Sequence, residues 1–117
     1  MNWDIRRGTI TVPASDTVTA GTATEVLYGN LGHLFLSVPA LEGTGTATVI
    51  GTQPLGGTIY ASTAINESTL ARVAPYGTPA PFAGTLFLVA TTTGDPAGTQ
   101  STARNIAYNI YYETTKG

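Results

Sequence analysis

Short runs in which apolar and polar residues alternate recur along almost the whole chain. Alternation with a period of two places apolar side chains on one face of a strand, and glycine and proline turn signals bound the runs. The pattern therefore predicts strands over residues 9–12, 22–28, 33–38, 46–50, 58–61, 85–91 and 105–113. On the last of these strands the same alternation predicts one shared apolar face, formed by Ile106, Tyr108, Ile110 and Tyr112.

One further segment, Ala64 to Val73, is compatible with two structures. Leu70 and Val73 are spaced as on a short helix that Pro75 would end, but an eighth strand fits equally well. The sequence thus predicts an all-β fold, an antiparallel β-sandwich or barrel of about seven to eight short strands with at most one short helix.

No break in composition divides the chain, so we expect one domain over residues 8–117. Residues 1–7 precede the first predicted strand and contain few apolar side chains. They are predicted to form an N-terminal arm that becomes ordered only on contact with a partner.

Composition narrows the range of functions. Charged residues make up 10% of the chain, against about 25% in an average domain. The formal net charge of −2 argues against binding to nucleic acid, which requires a basic surface. No run reaches the ~20 apolar residues of a membrane span, and we expect no signal peptide, because no apolar run follows Arg6 and Arg7.

The residues needed for catalysis or for metal binding are scarce. The chain has no cysteine and one histidine, His33, which begins an apolar run and is predicted to be a strand-edge residue. The seven acidic residues are scattered along the chain, mostly in predicted turns and at strand ends. We therefore expect no catalytic residues, no metal site, no cofactor and no enzymatic activity.

Carbohydrate binding is the main functional interpretation of the tyrosines near the C-terminal end. Sugar platforms use exposed aromatic rings with polar neighbours, and Asn105 and Asn109 could supply the latter. Because Tyr108 and Tyr112 share a face with isoleucines, Tyr111 is the ring that we expect to be exposed.

Two segments have the composition of a protein-binding surface. The first carries Trp3, Arg6 and Arg7, and Trp and Arg are enriched among interface hot spots. The second, residues 74–82, contains three prolines that stiffen it and would present Tyr76 and Phe82 to a partner. A Trp3 side chain folded into the core and a rigid connector across one end of the domain are the alternatives.

The chain resembles the small accessory virion proteins of tailed bacteriophages, including capsid decoration proteins. The resemblance is carried by the opening Arg7-Gly8-Thr9-Ile10-Thr11-Val12-Pro13, by strands rich in glycine and threonine, by the lack of cysteine and by the tyrosine-rich last strand. It spans the whole chain in style and includes no diagnostic motif.

This resemblance implies a β-sandwich or barrel that binds a repetitive shell, often as a trimer, with an arm or loop reaching onto neighbouring subunits. The implied partner is the major capsid protein or another virion subunit, and the implied location is a virion assembled in the host cytoplasm. A tail or fibre location and a carbohydrate-binding or adhesin module remain the alternatives. Because charge is scarce, we expect attachment with little salt sensitivity.

Overall fold

Eight strands make up the fold of the described chain. The structure is a computed structural model that describes residues 2–14, 19–43, 45–54, 57–75, 80–93 and 100–114. Its strands are β1 (Asn2–Val12), β2 (Thr19–Val38), β3 (Thr46–Thr52), β4 (Thr58–Ala61), β5 (Ile65–Asn66), β6 (Thr69–Val73), β7 (Ala80–Thr92) and β8 (Arg104–Thr114).

All strand pairs are antiparallel, in the order β1-β8-β2-β7-β3-β4, with β5 beside β3 and β6 beside β2. The arrangement is sandwich-like, and the described residues contain no helix, so the predicted all-β antiparallel fold is confirmed. The described part of the chain accordingly offers no helix that could span a membrane.

The segment with two possible structures, residues 64–73, forms β5 and β6. Ser68 lies in the turn between them with a φ of 55°, outside the range of a right-handed helix, so no helix runs through this segment. Ile65 and Val73 are buried, whereas Leu70 points outwards. The segment is therefore β-structure and not a helix, but it forms two short strands where the sequence predicted a single eighth strand.

The second strand is much longer than predicted, because it joins two of the predicted strands. Its first part, from Thr19 to Leu31, pairs with β7, and residues 30–37 pair with β8. The register shifts between Leu31 and Leu34, which marks a β-bulge. Gly29 and Gly32 are turn signals in the sequence that separate two predicted strands. In the structure their backbone freedom allows one continuous strand to bend at this point.

The bulge also changes which residues face the core. Before it, the buried side chains of β2 are at odd positions, Leu27 and Leu31; after it they are at even positions, Leu34, Leu36 and Val38. An extra residue in one strand shifts a period-two pattern by one position, so both halves of the strand contribute to a single core.

The hydrophobic core draws buried side chains from all eight strands. The apolar face predicted for the last strand is confirmed, since its alternate residues are buried along most of β8. The members of that face are Ile106, Tyr108, Ile110 and Tyr112.

Residues 2–7, predicted to be an arm, are part of β1 and pair with β8 from Asn2–Thr114 to Arg7–Asn109. The strand continues through Gly8 without a break. The structure thus pairs this segment with a strand of its own chain. The prediction of an arm that becomes ordered only on contact with another subunit did not include this pairing. The physical reason is that backbone pairing in an antiparallel ladder requires no apolar side chains.

Deleting residues 1–7 is therefore expected to lower the melting temperature by about 5 °C or more, because about 1 kcal/mol corresponds to 4–8 °C in a domain of this size. The deletion exposes the edge of β8 and removes the ion pair between Arg6 and Glu25. Differential scanning calorimetry measures the shift. Trp3→Ala is the control, because it keeps the ladder and removes a ring that is more than half exposed. Equal melting temperatures for the deletion and the full chain would instead support an arm that contributes nothing to the stability of the domain.

Candidate functional site

Four adjacent strands, β1, β8, β2 and β6, present a common outer surface. Side chains alternate across a sheet, so the residues between the buried positions of these strands point away from the core. Several of them are large and apolar: Trp3 is 54% exposed, Phe35 38% and Leu70 80%. We call this surface the aromatic face, and it consists of Trp3, His33, Phe35, Leu70 and Tyr111.

The rings of the aromatic face support one another. Phe35 and Tyr111 meet edge to face, with 5.1 Å between ring centroids and 64° between ring planes. His33 contacts Phe35 in a similar way at 6.3 Å and 63°. Such pairs contribute about 0.5–1.5 kcal/mol each beyond the burial of area. The rings are thus held in place before any partner arrives.

The side chain of Trp3 packs on the bulge of β2. A Cβ atom on Gly32 would lie 2.8 Å from the indole ring, so the ring packs directly on the glycine backbone. From the core side, the hydroxyl of Tyr60 donates a hydrogen bond to the carbonyl oxygen of Gly32 at 2.5 Å. Burial also raises the pKa of Tyr60 above its ordinary value of 10.0. The hydrogen bond from Tyr60 therefore fixes the bulge on its core side, and Trp3 packs on its outer side.

Two shallow depressions lie on the aromatic face and share the pair Phe35 and Tyr111. One, of about 340 Å³, also includes Trp3, Gly32 and His33. The other, of about 270 Å³, extends towards Leu70. Both are open and mainly apolar, a shape suited to receiving protruding groups of another molecule.

Two arginines lie in the row of residues that contains Phe35. The cross-strand partners in this row are Arg7 with Asn109, Asn109 with Phe35, and Phe35 with Arg72. Arg7 and Arg72 are both exposed. The aromatic face is thus flanked by two guanidinium groups with an amide between them.

Arg6 points to the opposite side of β1, where it forms an ion pair with Glu25 at 3.3 Å. Tyr108 donates a hydrogen bond to the same carboxylate, and Tyr112 donates one to Asp4 at 3.2 Å. Burial, together with the hydrogen bond to Glu25, raises the pKa of Tyr108. Arg6 and these tyrosines therefore tie β1 to β2 and β8 and lie apart from the aromatic face.

The sequence placed only part of the aromatic face correctly. Trp3 and Tyr111 lie on it and Arg7 flanks it, whereas Phe82 is buried in the core with 6% of its surface exposed, so its ring is not presented as expected. It follows the proline-rich segment directly, and its position in β7 turns it inwards. Tyr76 lies outside the described residues.

Sequence reasoning did not assign His33, Phe35 or Leu70 to an interaction surface, and it also missed the flanking Arg72. A signal was present for Phe35, because period-two alternation places it opposite Leu34 and Leu36. No such signal existed for Leu70 and Arg72, because the face on which a residue lies depends on whether its segment is a helix or a strand, and the sequence left this open for residues 64–73.

A second polar cluster lies at one end of the domain. Gln100 is 1% exposed; its side-chain oxygen accepts hydrogen bonds from the backbone N–H of Glu42 and from Arg104, and its amide donates to the carbonyl of Thr93. Glu42 accepts hydrogen bonds from the backbone N–H and the hydroxyl of Ser101 and forms an ion pair with Arg104. These contacts lower the pKa of Glu42, and the hydrogen bonds from Ser101 are the main cause. This cluster joins the segment after β2 to the segment before β8.

Among the described residues, no three histidine, aspartate or glutamate side chains are grouped so that they could hold a metal ion. The single histidine, His33, is instead in ring contact with Phe35.

No family model matches the chain, and no curated protein matches it. Among solved structures, the crystal structure of FlhE is similar over 97% of this chain and 99% of that chain, with a TM-score of 0.51 and 9% identity. The structure of the Gx strain of infectious bursal disease virus is similar over all of this chain, with a TM-score of 0.49 and 10% identity; this chain covers 35% of that chain. The Yersinia pseudotuberculosis-derived mitogen has a TM-score of 0.40 and 12% identity, with 99% of this chain and 90% of that chain covered.

At these identities the likeness concerns the fold alone. The likeness to FlhE is thus a likeness of all-β folds, and the virus among these neighbours is not a tailed phage.

Proposed function

We propose that this chain is a non-enzymatic β-domain that attaches to a protein surface through its aromatic face, as a structural protein of a virion. The observation that carries the proposal is the exposed and mutually supported set of rings on β1, β2 and β8. Exposed apolar side chains grouped on one surface are typical of interaction sites. Rings that are already held in place lose little conformational entropy on binding.

The roles of the acidic side chains support a non-enzymatic function. The five that are described are Asp4, Glu25, Glu42, Glu67 and Glu113. Each accepts a hydrogen bond from a neighbouring strand or loop, as Glu67 does from the backbone N–H of Leu41 and Glu113 from Asn30. These carboxylates hold the fold together, and His33 packs against an aromatic ring.

The more specific proposal is a capsid decoration protein that binds the major capsid protein or another virion subunit. It rests on the resemblance to accessory virion proteins of tailed bacteriophages. A protein present in many copies is retained by contacts to several subunits, since each contact raises the effective concentration of the next. A homotrimer in the virion, after assembly in the host cytoplasm, follows from the same resemblance.

A carbohydrate-binding or adhesin module is the second candidate. Trp3, His33 and Tyr111 line a depression of about 340 Å³, and Asn109 lies on the same surface. Leu70 favours protein as the partner, because it offers neither a ring on which a sugar could stack nor a hydrogen bond to sugar hydroxyls.

Replacing Phe35 with alanine is expected to weaken attachment to shells at least about 30-fold, the effect of truncating an interface hot spot worth ~2 kcal/mol. The measurement is co-sedimentation of the purified chain with shells of the virus that encodes it, stripped of accessory proteins.

Phe87→Ala is the matched control, because Phe87 is 39% exposed, almost the same as Phe35, and lies on β7 outside the aromatic face. Equal binding by the Phe35→Ala and wild-type chains would contradict the proposal. Binding to a glycan array without binding to shells would favour the adhesin.

A further inference from the structure

The arginines of this chain fall into two groups. Arg6 pairs with Glu25 and Arg104 pairs with Glu42, each at 3.3 Å. Arg7 and Arg72 have no carboxylate partner among the described residues. Both are exposed, so their guanidinium groups are placed to pair with carboxylates of another molecule.

Both of these arginines flank the aromatic face. They stand at the two ends of the row that contains Asn109 and Phe35. Neighbouring strands lie about 4.8 Å apart, so the Cα atoms of Arg7 and Arg72, three strands apart, are separated by about 14 Å. A protruding apolar group seated over Phe35 would thus have a guanidinium group on either side.

Among the described residues, the remaining charge of this surface is at its far end. Glu113 is the cross-strand partner of Trp3, and its carboxylate accepts a hydrogen bond from Asn30 at 3.2 Å. The row around Phe35 is therefore positively charged, although the chain carries a net charge of −2.

We infer that the partner of the aromatic face is a protein surface in which an apolar protrusion is flanked by carboxylates. This inference rests on the proposed function and adds the chemistry of the partner. Charge complementarity supports it, because the guanidinium group binds carboxylates through paired hydrogen bonds. The combination of Trp3, Tyr111 and two arginines on one surface consists of the residue types most enriched among protein interface hot spots.

This inference changes the expected response to salt. The scarcity of charge in the sequence predicted little salt sensitivity. With two arginines grouped on one face, attachment should instead weaken several-fold between about 0.05 and 0.5 M salt, mainly through slower association, because exposed charges are screened.

The test is selection of random dodecapeptides on the immobilised full chain. We expect enrichment of peptides with an aromatic or leucine residue flanked by Asp or Glu. These peptides should lose at least about tenfold in affinity for the Arg7→Gln, Arg72→Gln double variant, the loss of ~1.4 kcal/mol in charge-assisted contacts. The Arg7→Lys, Arg72→Lys variant should recover part of this loss, and Phe87→Ala should bind like the wild type.

The outcomes separate the inference from the proposed function. Peptides that are lost with Phe35→Ala but carry no excess of acidic residues would overturn the inference and leave attachment through the aromatic face in place. Failure to enrich any peptide, with binding to an array of acidic glycans, would overturn both. A selected acidic peptide that blocks attachment of the chain to shells would support both.

Discussion

Replacing Gly29 with alanine is expected to lower the free energy of unfolding by about 3 to 5 kcal/mol, the largest effect of any single substitution considered for this chain. Gly29 has a φ of 144°, a conformation that residues with a Cβ rarely adopt and that costs ~1–3 kcal/mol. A Cβ would also lie 2.1 Å from the carbonyl oxygen of Glu113, so β8 would have to move. Urea denaturation followed by circular dichroism measures the change.

Two other glycines separate these two causes. Gly84 has a φ of 118° but no atom within 4 Å of its Cβ position, so Gly84→Ala tests backbone strain alone and should cost about 1–3 kcal/mol. A Cβ on Gly21 would lie 2.2 Å from the carbonyl oxygen of Thr11, so Gly21→Ala tests crowding without that backbone strain. If Gly29→Ala lowered the free energy of unfolding no more than Gly84→Ala, the result would contradict the close contact between β8 and Gly29.

The consequence for the aromatic face follows from the position of Gly29. It lies three residues before Gly32, on which Trp3 packs, and just before the register shift. A displacement of β8 at this point would move Tyr111 relative to Phe35. Gly29→Ala should therefore weaken attachment as well as stability, whereas Gly84→Ala should affect stability alone.

Replacing Gln100 with leucine is expected to lower the free energy of unfolding by about 2 to 3 kcal/mol. The leucine keeps the buried volume but leaves the backbone N–H of Glu42, the Arg104 guanidinium and the carbonyl of Thr93 without their partner. Unsatisfied groups of this kind cost ~1–3 kcal/mol when buried, and less where water reaches them. Chemical denaturation measures the loss.

Gln53→Leu is the matched control for this change. Gln53 is only partly buried, so the same substitution should alter the free energy of unfolding by no more than about 0.5 kcal/mol. Equal effects at the two positions would show that the hydrogen bonds of Gln100 do not stabilise the fold.

The same cluster should respond to acid. The pKa of Glu42 is lowered in the folded chain, chiefly by the hydrogen bonds from Ser101, so its ionised form stabilises the fold above its ordinary pKa of 4.5. This contribution is lost as the pH falls through the lowered value. Glu42→Gln should flatten the acid side of the stability profile, and a profile identical to that of the wild type would contradict this role.

The sequence alone determined the class of fold and most of the core. Period-two alternation is a local property, and it located most of the strands, including the face of β8 that carries Ile106 and Ile110, but it left residues 64–73 undecided between helix and strand. It also identified Tyr111 as the ring directed away from that face. Trp3 and Arg7 were recognised from their residue types, which need no knowledge of the fold.

Only the tertiary structure decided how these parts meet. Whether the glycines at 29 and 32 form a turn or a bulge depends on the strands that pair on either side, since the same backbone freedom serves both. Residues 2–7 form a strand because β8 offers them an unpaired edge, which is separated from them by most of the chain. The aromatic face arises from four strands that are distant in sequence, so its combination of rings and arginines exists only once the sheet has formed.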